Sequence, residues 1–189
     1  MKFFSKKESL WLVVIILAIV GFSYPNMQVS LRRGRDMQRK NDIRAVSDSL
    51  VRYSADFGSF PLSQDGKMVA CKGPETKKDK KGRITGLIPC EWGKDALADV
   101  FDPGSTPYIV ALPLDPLSQK GFAYAYFSSG KTFQLYASLE GADEAEYDPK
   151  IVARGLTCGT KTCNFGLGYG ATPLDKSIEE YENELLRLK

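Results

Sequence analysis

The sequence predicts an α+β protein in which one long N-terminal helix packs on a small antiparallel β-sheet and a last helix closes the chain. Three observations carry this. An uncharged apolar stretch near the N-terminus runs without a linker into an apolar pattern of helical spacing. Two alternating, aromatic-rich runs flank a Ser-Ser-Gly-Lys turn. The last residues again repeat apolar positions at helical spacing.

The first element is the longest. From Ser9 to Leu31 there is no charged residue, a run of 23, and its core from Leu10 to Val20 reads LWLVVIILAIV. At a rise of ~1.5 Å per residue this covers about 34 Å, enough for a hydrocarbon layer of ~30 Å. The following Gly21-Phe22-Ser23-Tyr24-Pro25-Asn26 offers no small-x-small cleavage site, so the stretch reads as a retained membrane anchor. Beyond it, Ile43, Val46, Leu50, Tyr53 and Phe57 recur at spacings of 3, 4, 3 and 4, the mark of one helix face. Arg39, Lys40, Asp42, Arg44, Asp48 and Arg52 lie between them as a polar face. Gly58 and Pro61 end the pattern. A single helix from about Ser5 to Phe57, roughly 80 Å long, is expected. Proline removes a backbone donor, so Pro25, four residues after Gly21, is where that helix should kink or unwind.

Residues 58–172 hold most of the Gly and Pro and form the globular part. Phe122 to Phe127 and Thr132 to Leu139 alternate across the turn at Ser128-Ser129-Gly130-Lys131, which predicts a hairpin. Phe133, Leu135, Ala137 and Leu139 share one face. Tyr108 to Leu112 reads as a preceding strand. A sheet with one apolar face needs a cover, and the amphipathic half of residues 1–57 supplies it. In residues 173–189, Ile178, Tyr181, Leu185 and Leu188 share a face. A helix from about Asp175 to Lys189 is expected, free to dock on its own domain or on a partner.

Composition narrows the chemistry. The 189 residues carry 26 basic and 23 acidic side chains, a net charge of +3, and no His. The near-neutral balance excludes a generally polycationic nucleic-acid binder. The missing His removes His-based metal ligation, Ser-His-Asp and Cys-His catalysis, and a histidine pH switch. No constellation of Asp, Glu, Lys or Cys replaces them, so the reading is non-enzymatic, without cofactor or metal. Asp99, Asp102 and Asp115 offer oxygen ligands for calcium, but they form no tight cluster, and Asp102 and Asp115 directly precede prolines, as turn residues do.

Cys71, Cys90, Cys158 and Cys163 all follow the anchor. Neither pair has the two-residue spacing of a redox motif or a zinc knuckle. Disulfides in an oxidising compartment are the simpler reading, against zinc or free thiols. Sequence proximity favours Cys71–Cys90 and Cys158–Cys163 among the three connectivities that four cysteines allow. The charges around the anchor point the other way. Arg32, Arg33, Arg35, Arg39 and Lys40 outnumber Lys2, Lys6 and Lys7, which by the positive-inside rule alone leaves the domain in the cytoplasm.

The order of anchor, proline, amphipathic half and domain resembles type IV pilins and the pseudopilins of type II secretion systems. Counting back from Pro25 aligns Phe4 with the family's mature N-terminal Phe and Glu8 with its acidic fifth position. Arg35 to Arg44 and then Tyr53-Ser54-Ala55-Asp56-Phe57-Gly58-Ser59-Phe60-Pro61 match the family's arginine-rich stretch and its helix end. Leu112-Pro-Leu-Asp-Pro116 before the Tyr-rich hairpin is similar as well. Phe3 stands where the family's peptidase takes Gly, and Lys6 and Lys7 replace apolar residues, so the chain either starts at Phe4 or stays unprocessed.

The resemblance implies a homo-oligomeric helical filament. Copies wait in the cytoplasmic membrane with the globular domain outside, the assembly machinery extracts them, and the filament stands at the cell surface. Phe4, Glu8, Leu10, Val13, Ile16, Leu17, Val20 and Pro25 would then form the assembly surface, with Glu8 pairing a neighbour's N-terminal amine.

The rival expectation is a membrane-tethered extracytoplasmic binding module that does not polymerise. Its candidate site is the basic loop between Cys71 and Cys90. There Lys72, Lys77, Lys78, Lys80, Lys81 and Arg83 stand against Glu75 and Asp79. The loop is either a solvated surface or a phosphate-binding finger able to contact DNA. It holds no aromatic residue for base stacking.

Overall fold

The computed structural model of the chain describes residues 6–187. The expected helix start at Ser5, the assembly residue Phe4, and the terminal Leu188 and Lys189 lie outside the described residues. Helix α1 (Lys6–Phe57) has 52 residues without a break. It passes through Pro25, so the unwinding expected there is absent. Pro25 forfeits one hydrogen bond, to the Gly21 carbonyl, and intact turns on both sides hold its neighbours helical. The helix stops at Gly58, whose φ of 73° suits a residue without Cβ.

After α1 the chain builds two three-stranded antiparallel sheets and two short ribbons. β1 (Leu62–Gln64) and β2 (Lys67–Cys71) pair with Gln64 opposite Lys67. Asp65 and Gly66 between them both have positive φ, the two-residue turn whose hand matches strand twist. β3 (Lys77–Lys78) and β4 (Ile84–Gly86) form a separate ribbon, and β5 (Ile88–Pro89) completes the first sheet beside β2. The second sheet has the order β10-β7-β6. β6 (Ala125–Ser128) and β7 (Phe133–Ala137) are the hairpin that the alternation predicts. Between the sheets the chain is irregular. Tyr108 to Leu112 is not a strand; it makes only a single bridge, Leu97 to Ile109. Pro107 and Pro113 bracket it, and proline cannot donate to a ladder.

The predicted helix face forms the core. Ile43, Val46 and Leu50 are fully buried, with Tyr53 nearly so, against Met68 and Ala70 of β2 and Phe133, Leu135 and Ala137 of β7. Side chains of this kind contribute about 1.5–3 kcal/mol each when buried. The second face of β7 is covered too, which the expectation of one apolar face did not allow for. Helix α2 (Pro149–Ala153), N-capped by Asp148, puts Ile151 against Tyr136. β8 (Thr157–Cys158) and β9 (Lys161–Thr162) form the second ribbon, with Cys158 in β8 and Cys163 directly after β9, and β10 (Phe165–Gly168) returns beside β7. Gln134 donates to the carbonyls of Pro173 (2.5 Å) and Lys176 (2.8 Å), and the Tyr136 hydroxyl to that of Leu174 (3.1 Å). Residues 173–176 therefore seal the sheet before the last helix.

Helix α3 (Ile178–Arg187) starts three residues later than expected because Ser177 caps it. The Ser177 hydroxyl accepts from the Glu180 amide at 3.1 Å, and the Ser177 amide donates to the Glu180 carboxylate at 2.7 Å, a reciprocal capping box. Ile178 docks in the domain, and Ser129 donates to Glu182 at 2.7 Å. Leu185 and Leu186 remain exposed.

Candidate functional site

α1 divides into two halves by what surrounds it. Every residue from Lys7 to Leu31 is exposed, including the predicted assembly residues Glu8, Leu10, Val13, Ile16, Leu17, Val20 and Pro25. Leu10, Val13, Leu17 and Val20 follow one another at spacings of 3, 4 and 3 and so share a stripe. Among the described residues, α1 is the one helix long and apolar enough to cross a membrane. Monomeric soluble proteins rarely expose contiguous apolar patches beyond a few hundred Å². This arm exceeds that by its length alone.

Where the arm enters the domain, residues 32–40 are held by a collar of ion pairs, and this corrects the expected polar face. Arg39 is 0% exposed and Lys40 only 4%. The Arg39 guanidinium donates to both oxygens of Asp115, at 2.7 and 3.0 Å, to Asp36 at 2.7 Å and to Glu140 at 2.9 Å. The Phe122 ring lies over it, 4.6 Å from Cζ to the ring centre. Arg35 grips Glu140 through two bonds of 2.7 Å. The Asp36 carboxylate accepts in addition from the amides of Glu140 and Gly141. Lys40 donates to Glu144 and Glu146 at 2.8 and 2.9 Å, and Arg32 to Asp143. The acidic segment 140–146 thus straps the basic segment of α1. Only Arg44, Asp48 and Arg52 of the expected polar face are solvent-facing. Asp42 is half-buried and accepts from the Tyr124 hydroxyl at 2.6 Å.

Burial works against the charge of Arg39 and of Lys40. Their carboxylate partners outweigh it and hold both cations above their ordinary pKa. Glu140 titrates below the ordinary carboxylate range, chiefly because Arg35 donates to it, with burial opposing and Arg39 adding to the effect. Glu146 is lowered for the same kind of reason, by Lys40. In the unfolded chain a glutamate binds its proton near pH ~4.3. Below that value and above the folded one, the unfolded chain holds more protons, so stability rises with pH there. The collar's contribution is therefore complete above about pH 5 and is lost as pH falls through the lowered folded values. Burial raises the Asp42 pKa, so Asp42 acts in the opposite direction. Acid titration monitored by near-ultraviolet circular dichroism should show the loss begin as pH falls below about 5, and Glu140→Gln should flatten it.

Asp115 is the buried partner of Arg39, and it also accepts from the Leu117 amide at 2.7 Å. Asp99 and Asp102 accept from the nearby amides of Phe101 and Gly104 as local turn residues. Among the described residues no group of three or more Cys, Asp or Glu could hold a metal ion.

The cysteines form the two disulfides that proximity favours, Cys71–Cys90 and Cys158–Cys163. Cys71–Cys90 closes the base of the basic loop. Within the loop, Lys77, Lys78, Lys80, Lys81 and Arg83 are all exposed, on and around the β3–β4 ribbon.

In comparisons with known proteins, the chain matches no protein-family model, no curated protein and no solved structure.

Proposed function

We propose that the chain is a non-enzymatic, pilin-like structural subunit of a type IV pilus or pseudopilus filament. One observation supports this most: an exposed apolar arm of about 37 Å by helical rise is continuous with a helix that the domain clamps along its other half. Such an arm needs lipid or copies of itself as neighbours. In this reading it rests in the cytoplasmic membrane with the disulfide-bonded domain outside. The assembly machinery then moves it into a filament core, where identical arms pack against one another and Glu8 sets their register.

The clamp suits that role. Extraction from a bilayer pulls on α1, and the collar at Arg32–Lys40 joins that helix to the loop segments carrying Asp115 and Glu140–Glu146 at the entry point. Load on the arm passes into the domain at several charged contacts at once.

Filaments sheared from the surface of the source cells should contain this chain, by mass spectrometry and by immunogold electron microscopy. Chain confined to the membrane fraction, with none in filaments, would favour the tethered module. The feature that speaks for that second reading is the basic ribbon.

A further inference from the structure

The chain carries two basic runs, and the fold treats them differently. In residues 32–40, Arg32, Arg35, Arg39 and Lys40 all meet carboxylates of segment 140–146 or Asp115. In residues 72–83, none of Lys72, Lys77, Lys78, Lys80 and Lys81 has a carboxylate within 4.0 Å among the described residues, although all five are exposed. A run of like charge left without counter-charge costs self-repulsion, which a ligand of opposite charge relieves.

The run is also built into an ordered scaffold. Asp79 organises the ribbon tip. Its carboxylate accepts from the amides of Lys81 and Arg83, at 2.8 and 2.9 Å, and from the Arg83 side chain at 2.7 Å. Gly82, with φ of 79°, closes the turn. The one acidic side chain at the tip is thereby spent on local geometry, and the lysines on both sides of it are left facing outward. The Cys71–Cys90 disulfide fixes the ribbon base.

We propose that this ribbon binds double-stranded nucleic acid through its phosphates, without reading sequence. The choice of ligand follows from the side chains. Lysine ammonium groups are point charges that suit phosphate oxygens, and residues 72–83 hold no Asn or Gln to pair with adenine edges. The one guanidinium, Arg83, is engaged by Asp79. With no aromatic residue from 72 to 83 there is no platform on which single-stranded bases stack.

Position argues against the headgroups of the membrane that holds the arm. β1 begins five residues after α1 ends, and β2 runs back so that Val69 pairs with Leu62 and Cys71 lies just beyond. The ribbon therefore leaves the domain at the Phe57 end of α1. Arg32, at the arm end, is about 38 Å away along the helix.

The proposal does not depend on filament assembly. The test uses the full chain in phosphatidylcholine nanodiscs and a fluorescent 30-base-pair DNA duplex, titrated at several salt concentrations. With about four phosphates neutralised, affinity should fall about 100-fold between 50 and 200 mM salt, and two duplexes of unrelated sequence should bind alike. K77A/K78A/K80A/K81A should lower the slope of log affinity against log salt by about 3 to 4. All four side chains are exposed, so the variant keeps its fold, which intact disulfides and an unchanged circular dichroism spectrum would verify. Absence of binding at 50 mM salt, or an unchanged slope in the variant, would overturn the proposal. So would displacement of the duplex by phosphatidylglycerol vesicles at equal phosphate concentration, which would assign the ribbon to anionic lipid.

Discussion

Arg39→Ala is expected to lower the unfolding free energy by about 3–5 kcal/mol, because it strands buried carboxylates without a counter-charge. Asp36 and Asp115 are both 0% exposed at their side chains, and Glu140 loses one of its two cations. A domain of ordinary stability has about 5–15 kcal/mol in total, so the variant sits near the edge of folding. Arg39→Lys keeps the charge but not the planar fork that reaches Asp115 twice. It should fall between wild type and Arg39→Ala. Urea titration of the full chain in detergent micelles measures both. A double-mutant cycle with Asp115→Ala should return a coupling energy of about 0.5–3 kcal/mol. A loss under 1 kcal/mol for Arg39→Ala would mean that the collar is a surface decoration and not the clamp described above.

Ile16→Asp is the second large effect. An aspartate near the middle of a membrane-spanning helix costs about 2.5–3.5 kcal/mol, and the lost isoleucine adds about 0.5. Ile16 touches nothing in the domain, being exposed like its neighbours, so the domain itself should be unaffected. The soluble fraction of the protein should rise, and filaments should disappear even where the variant still inserts, because an unpaired carboxylate cannot be accommodated among packed apolar helices. Fractionation and electron microscopy of the same cells separate the two consequences. Normal filaments from Ile16→Asp would remove the arm from the assembly surface.

Much of this architecture was legible because it rests on local periodicity. The 3,4 spacing of Ile43, Val46, Leu50 and Tyr53 is a property of the chain alone, and these are the residues that α1 buries. The same holds for the β6–β7 hairpin, whose alternating runs meet at Ser129-Gly130. The β1–β2 hairpin also carries a local signal, Asp65-Gly66 between short extended runs. The collar had none. Arg39 and Lys40 sit among polar residues in sequence, and most of their partners are 76 to 106 positions away. Periodicity cannot tell a solvated cation from one buried against distant carboxylates. The β3–β4 ribbon, of two and three residues, is too short for alternation to register. Its cations were visible in composition, but the Asp79-built tip that orders them was not.

On the reading proposed above, other copies of the same arm cover it in a filament. A photo-activated cross-linking residue at position 16, introduced into the chain in its native cells, tests this most directly. Adducts should form a ladder of multiples of this chain in the filament fraction, joined through arm residues between Leu10 and Leu31. Adducts to lipid alone, in every fraction, would contradict it.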